Sequence, residues 1–145
     1  MPLSSGGWED HLVHDDERCP CLSGDTYGAC CGRYHSGAAT APTAEALMRS
    51  RYSAFAVGDE AYLLATWAPR NRPDTAGLGD EQWRRLDVHR TERGGPFDTT
   101  GVVEFTAFYR YPATGARGSL HETSRFVREG GRWYYVDGDR EANDR

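Results

Sequence analysis

Four cysteines lie between positions 19 and 31, as Cys19, Cys21, Cys30 and Cys31, in the spacing C-x-C-x8-C-C. A segment this short has no core of its own, so its order must come from a crosslink. Four thiolates can close around one tetrahedral ion at about 2.3 Å, and a closed set of this kind is structural rather than catalytic. Ser23, Gly24 and Gly28 supply the turn chemistry that lets the two cysteine pairs converge. Tyr27 is placed to cover the resulting knuckle. Metal binding would deprotonate the thiols and fold the segment in one step.

Other readings of these cysteines stay open. A disulfide would have to join Cys19 or Cys21 to Cys30 or Cys31, because adjacent or near-adjacent pairing strains the bridge. A reactive thiol or redox pair would make the segment a redox or metal sensor. His35 is an alternative fourth ligand in place of Cys31, whereas His11 and His14 read as exposed residues of an N-terminal arm. Zinc is the expected ion, and iron suits the same donors.

Composition narrows the setting. Residues 1–18 have neither a basic start nor an apolar run, so no secretory signal is expected. No stretch reaches the roughly 18 apolar residues of a membrane span. A cytoplasmic location follows as the expectation, and in that reducing compartment clustered cysteines favour metal over disulfides. The net charge is -5, so a polyanion gains no counterion-release affinity, and nucleic acid is not expected as the main partner. All seventeen basic residues are arginines, scattered rather than clustered. Codon bias accounts for that better than a phosphate-binding surface.

Downstream of the linker 36–42 the pattern becomes helical. Thr43 is a suitable N-cap, Glu45 sits in the first turn, and Ala44, Leu47, Met48, Tyr52 and Phe55 recur at helical spacing. Gly58 ends this helix and Asp59 caps a second, which Pro69 and Pro73 close. Residues 68–79 read as a loop, and Asp80 as the cap of a short turn carrying Trp83. Strands are predicted at Leu86–Glu92, Thr99–Tyr111, Arg117–Glu129 and Arg132–Asp137, separated by Gly- and Pro-bearing breaks. Alternation places Val103, Phe105, Ala107 and Tyr109 on one face of their strand. In the next strand it sets His121, Thr123 and Arg125 opposite Glu122, Ser124 and Phe126. Helices followed by consecutive strands imply an α+β fold with helices packed on an antiparallel sheet.

The segment CPCLSGDTYGACCGRYHSG resembles the SEC-C motif, named for the C-terminal metal-binding tail of the SecA translocation ATPase. The match rests on Cys19, Cys21, Ser23, Gly24, Cys30, Cys31 and Gly32, with Cys31 where the translocase tail has histidine. The blocks APTAEALMRSRYSAFAVGDEAYLLATW, VVEFTAFYR and LHETSRFVREGGRWYYVDG, in this order, are similar to the YchJ-like family of bacterial proteins. That resemblance implies a nuclear-transport-factor-2-like, cystatin-like cone, in which a curved sheet wraps helices and often leaves a pocket. The expected organisation is a flexible arm at 1–18, a SEC-C knuckle at 19–35, the cone at 43–138 and a tail at 139–145.

Two functions are weighed on this frame. The first is a metal-stabilised module that presents a rigid surface to a protein partner. The likeness to the translocase tail points to chaperone, export or ribosomal machinery. The second is a small-molecule binder or enzyme using the cone's cavity, with a histidine and a carboxylate for acid–base work. Candidates for that cavity are Arg49, Tyr52, Trp67, His89, Glu104, His121, Arg125 and Trp133, with Arg51 and Glu122 beside them. Structural ion pairs and core packing are the competing roles for these residues. No nucleophile elbow, phosphate loop or dinucleotide fingerprint is present, so no catalytic residue is assigned.

Overall fold

The computed structural model describes residues 13–144. His11 and most of the expected arm lie outside the described residues. Described elements run in the order α1 (Cys31–His35), α2 (Ala44–Val57), α3 (Glu60–Ala65), a 3₁₀ turn (Pro69–Asn71), β1 (Gln82–Arg93), β2 (Thr100–Arg110), β3 (Arg117–Glu129) and β4 (Arg132–Asp144). The four strands form one antiparallel sheet in sequence order, and the helices pack on one face of it. This is the expected α+β cone.

Helix α2 begins and ends as its sequence dictates. The Thr43 side chain accepts from the Ala46 N–H, and Gly58 takes the left-handed conformation that closes the helix. Asp59 caps α3 by accepting from Tyr62 N–H. Leu47, Met48 and Tyr52 of α2 meet Leu86, Val103, Ala107 and Phe126 of the sheet in one buried cluster. Burial of each such side chain contributes about 1.5–3 kcal/mol. Trp133, also in this cluster, donates its indole N–H to the Pro42 carbonyl at 3.2 Å, so it is a core residue.

Three boundaries differ from expectation. Residues 14–18 are tied to the knuckle: Arg18 bridges Thr26, Tyr27 N–H donates to Glu17 O at 2.7 Å, and Gly28 N–H donates to Asp15 O at 2.9 Å. Trp83 lies within β1 rather than on a short turn, edge-on to Tyr109 with centroids 5.2 Å apart. Bulges at Trp83/Arg85 and Val88/Arg90 break the two-residue period in β1, which hides the strand's start from a pattern search. The expected tail at 139–145 is strand through Asp144, since β4 pairs β3 from Glu129↔Arg132 to Gly118↔Asp144. Its outward side chains are held by charge: Arg125 reaches Asp137 at 2.6 Å and Asp139 at 3.2 Å. Such cross-strand pairs leave no apolar alternation to read.

Gly138 in β4 is required by space. A Cβ there would overlap the carboxylate and Cγ of Glu122, which lies flat across it. Glu122 cannot easily move aside, because it is 3% exposed and held by three donors. Gly138→Ala is therefore expected to destabilise the fold by about 1–3 kcal/mol, read as a lower urea midpoint with an unchanged m-value. At the knuckle, Leu22 carries a positive φ of 65° with its side chain 54% exposed. A left-handed L-residue is strained and this one loses little packing when truncated, so Leu22→Gly should stabilise the protein by about 0.5–1 kcal/mol. Leu22→Val, β-branched in the same conformation, should do the opposite, and thermal melts of the two variants separate these outcomes.

Candidate metal centre and cone cavity

The knuckle is a small hairpin followed by α1. Cys19 N–H donates to Asp25 O and Leu22 N–H to Cys19 O, each at 3.0 Å, which returns the chain toward itself after Cys21. Cys30 N–H and Gly32 N–H both donate to Tyr27 O, at 3.0 and 2.7 Å. Gly32 is packed so closely on Tyr27 that a Cβ would strike that carbonyl at 2.7 Å. These contacts bring Cys30 and Cys31 back over Cys19 and Cys21.

The four Sγ atoms lie within 4.8 Å of one another. Cys21 and Cys30 are 3.6 Å apart and Cys30 and Cys31 4.0 Å apart. A tetrahedron with bonds of about 2.3 Å has edges of ~3.8 Å, so the Cys21–Cys30 and Cys30–Cys31 separations match those of ligands on one ion. All four thiols are free, and Cys19, Cys21 and Cys31 are buried. Hydrogen bonds from the Cys21 and Cys31 thiols hold Cys19 well below the usual thiol range. The same crowding works against its neighbours. The Cys19 contact pushes Cys21 up to about 11 and raises Cys31 as well. One negative charge is welcome in this nest, and further ones need a cation. The donor set thus fits a soft or borderline ion.

His35 has both ring nitrogens engaged elsewhere. Nε2 donates to the Ser50 carbonyl at 2.8 Å, and Nδ1 meets the Tyr27 hydroxyl at 2.5 Å. It anchors α1 to α2, and the cluster of sulfurs closes without it. His14 is exposed, as expected of it.

Helix α2 grips the knuckle through residues the sequence reading did not single out. Ser53 Oγ lies 3.5 Å from Cys19 Sγ, and Ser50 donates to Leu47 O at 2.7 Å while receiving the Tyr62 hydroxyl at 2.7 Å. Both serines are fully buried. Their signal was small size at i and i+3 on one helix face, which lets another backbone approach. Arg49, expected at a pocket, instead clamps the knuckle by donating to the Cys21 carbonyl at 3.2 Å and pairing with Glu45 at 3.0 Å.

The remaining candidates divide between the two faces of the sheet. His89, Glu104, His121 and Arg125 all project from the outer face, away from the helices. Glu104 binds His121 Nε2 at 2.7 Å and Arg90 at 2.9 Å, and the His121 contact holds its carboxyl below the usual range. His89 hydrogen-bonds with Thr106 at 2.7 Å. The expected histidine–carboxylate pair exists, then, but it lies on the outer face of the sheet and does not line the cone's cavity. Trp67 packs edge-on against Tyr135 at 5.1 Å and under the Arg51 guanidinium.

The inner face bounds a cavity of about 270 Å³ between α2, the loop 76–81 and the sheet, and of the candidates only Tyr52, Arg51 and Glu122 line it. Glu122 accepts from Ser124 at 2.6 Å, Tyr135 at 2.8 Å and Arg140 Nε at 2.6 Å. Burial, then the Glu122 carboxylate, push the Tyr135 phenol up to about 12, which keeps it the donor. Arg51, 6% exposed, donates to Leu63 O and Thr66 Oγ1, both at 2.7 Å, and its guanidinium rests on the Trp67 and Tyr135 rings.

Comparison with known proteins agrees with this anatomy. Residues 43–138 match the family model "YchJ, middle NTF2-like domain", and residues 17–33 match the SEC-C motif. A UPF0225 protein of Corynebacterium glutamicum is 53% identical over 124 residues, covering 85% of this chain and 97% of its own. A UPF0225 protein of Streptomyces coelicolor is 52% identical over 122 residues, covering 83% and 94%. Among solved structures, a SEC-C motif containing protein from Rhodopseudomonas palustris superposes with a TM-score of 0.74 at 37% identity, covering 83% of this chain and 96% of that one. One from Psychrobacter arcticus gives 0.71 at 28% identity, covering 85% and 82%. A cysteine knuckle of SEC-C type fused to a nuclear-transport-factor-2-like cone, with relatives at half identity along most of its length, places the chain in the YchJ-like UPF0225 family.

Proposed function

We propose that this protein binds one zinc ion through Cys19, Cys21, Cys30 and Cys31, and that the metal-set knuckle is a docking surface for a protein partner in the cytoplasm. The observation that carries the reading is the convergence of four sulfurs within 4.8 Å, three of them buried. Buried thiolates in a closed set suit an ion that does no redox work, which favours zinc over iron. No described helix is long and apolar enough to cross a membrane.

The knuckle's outward chemistry supports a protein partner. Leu22 is a large apolar side chain turned to solvent, directly after a cysteine ligand and on backbone fixed by Cys19 and Asp25. A rigid apolar projection is a low-entropy anchor for a complex. Because the knuckle resembles the SEC-C tail of the translocation ATPase, chaperone, export or ribosomal components are the partners to test.

Cys21→Ser is expected to lower bound zinc from about one equivalent per chain to less than ~0.2 after reconstitution. The cysteines share a core cluster with Leu47, Met48 and Tyr52, so the same change should also destabilise the cone by about 2 kcal/mol or more. Elemental analysis and thermal unfolding read the two effects. Full zinc occupancy in the variant overturns the ligand assignment, and stoichiometric iron in the native protein overturns the choice of ion. For the partner, Leu22→Asp should keep its zinc and lose co-sedimentation with purified ribosomes, or retention of chaperone or export components, that the native chain shows. Retention equal to the native chain would exclude the knuckle as the docking surface.

A further inference from the structure

The cavity on the inner face of the cone has a built floor and one unbalanced charge. Four charged side chains line it: Arg51, Glu81, Glu122 and Arg140. Glu122 and Arg140 are paired at 2.6 Å, and Ser124 and Tyr135 add two further donors to the same carboxylate. That carboxylate is thereby satisfied on the cavity's behalf and is not a receptor for an incoming cation. Glu81 is only half-buried, so water screens it.

Arg51 is the exception. Among the described residues its guanidinium makes no ion pair, and one nitrogen, Nη1, makes both of its hydrogen bonds. Glu122 is near enough to favour the charge without pairing with it, and desolvation pushes the group down to about 10. A buried cation without a counter-charge is costly unless something brings one. Tyr52, the next residue of the helix, lines the same cavity; it is 6% exposed, and its hydroxyl has no hydrogen-bond partner among the described residues. Burial raises this phenol, so it is a neutral donor. Phe55, Trp83, Phe105 and Phe126 give the wall an aromatic, largely apolar surface. A mostly apolar pocket with a few converging polar groups is what small-ligand sites look like.

We propose that this cavity binds a small monocarboxylate with a planar, apolar body, its carboxylate meeting the Arg51 guanidinium and the Tyr52 hydroxyl and its body lying against Trp83. The ligand would supply the missing counter-charge, and the rings would cover what the carboxylate leaves apolar. This site is separate from the metal centre and does not depend on the docking function proposed for it.

The test uses the full-length, metal-loaded protein and a panel of small probes: phenylacetate and 4-hydroxybenzoate as carboxylates, phenethylamine as the cation, and benzyl alcohol as the neutral body. Saturable shifts of the Trp83 indole N–H resonance, with a rise in melting temperature, are expected for the carboxylates alone. Tyr52→Phe keeps the ring and removes a hydroxyl with no partner among the described residues, so it should fold and weaken carboxylate binding about five- to tenfold. Ala107→Leu fills the cavity without touching Arg51 and should abolish the shift. Arg51→Met is the direct variant, but Arg51 also holds α3, so the other two carry the result if it fails to fold. Stronger binding of the amine or the alcohol, no shift with any probe at millimolar concentration, or carboxylate shifts unaltered in Ala107→Leu would each overturn the proposal.

Discussion

Helix α2 is packed on most of its circumference, with Glu45 its most open side chain among those in ion pairs, and the rest of the structure is arranged around that fact. Each of its residues from Ala44 to Val57 is buried or half-buried. The knuckle and α3 lie against one part of its surface, the sheet against another. Polar side chains buried on such a helix draw their partners from the elements packed against it, since an unpaired buried group costs about 1–3 kcal/mol. Ser50 and Ser53 meet this demand through Leu47 O, Tyr62 and the Cys19 sulfur, and Arg49 through Glu45 and the Cys21 carbonyl. Polar residues that look misplaced in a core are the seams joining helix to knuckle.

The sequence was legible where a local rule acts alone. The spacing of the cysteines, the Thr43 and Asp59 caps, the Gly58 stop and the inward set Val103, Ala107 and Tyr109 follow from turn chemistry, capping and strand alternation. It was less legible where two elements negotiate. The bulges in β1 concealed Trp83's strand, and β4 extends past position 138 because its outward charges meet Arg125 and His121 on β3. Neither is a property of one segment read by itself.

Residue type misled the choice of cavity residues more than periodicity did. His89, Glu104, His121 and Arg125 attract attention as catalytic chemistry, yet alternation already set His121 and Arg125 opposite Phe126, the side chain that defines the inside. On the outer face Glu104 binds His121, Arg125 pairs with Asp137 and Asp139, and His89 hydrogen-bonds Thr106. Glu122, one position from His121, is the carboxylate that enters the cone. Face, not residue type, is the better guide on a sheet with one side buried.

A single helix therefore serves as the common wall of two sites. Arg49 and Ser53 turn toward the knuckle and Ser50 toward Tyr62 of α3, while Met48, Arg51, Tyr52 and Phe55 turn toward the cavity. Closely packed interiors transmit displacement rather than absorb it. The axial position of α2 is fixed on the knuckle side by the Cys21 carbonyl, the Cys19 sulfur and His35, so closure of the four sulfurs also sets where Arg51 and Tyr52 stand. The packing of the knuckle and the shape of the cone's interior are in this sense linked through one helix. That is a physical reason for fusing so small a knuckle to a cone: the helix needs the knuckle to partner Ser53 and Arg49, and the knuckle needs the helix to hold its sulfurs together.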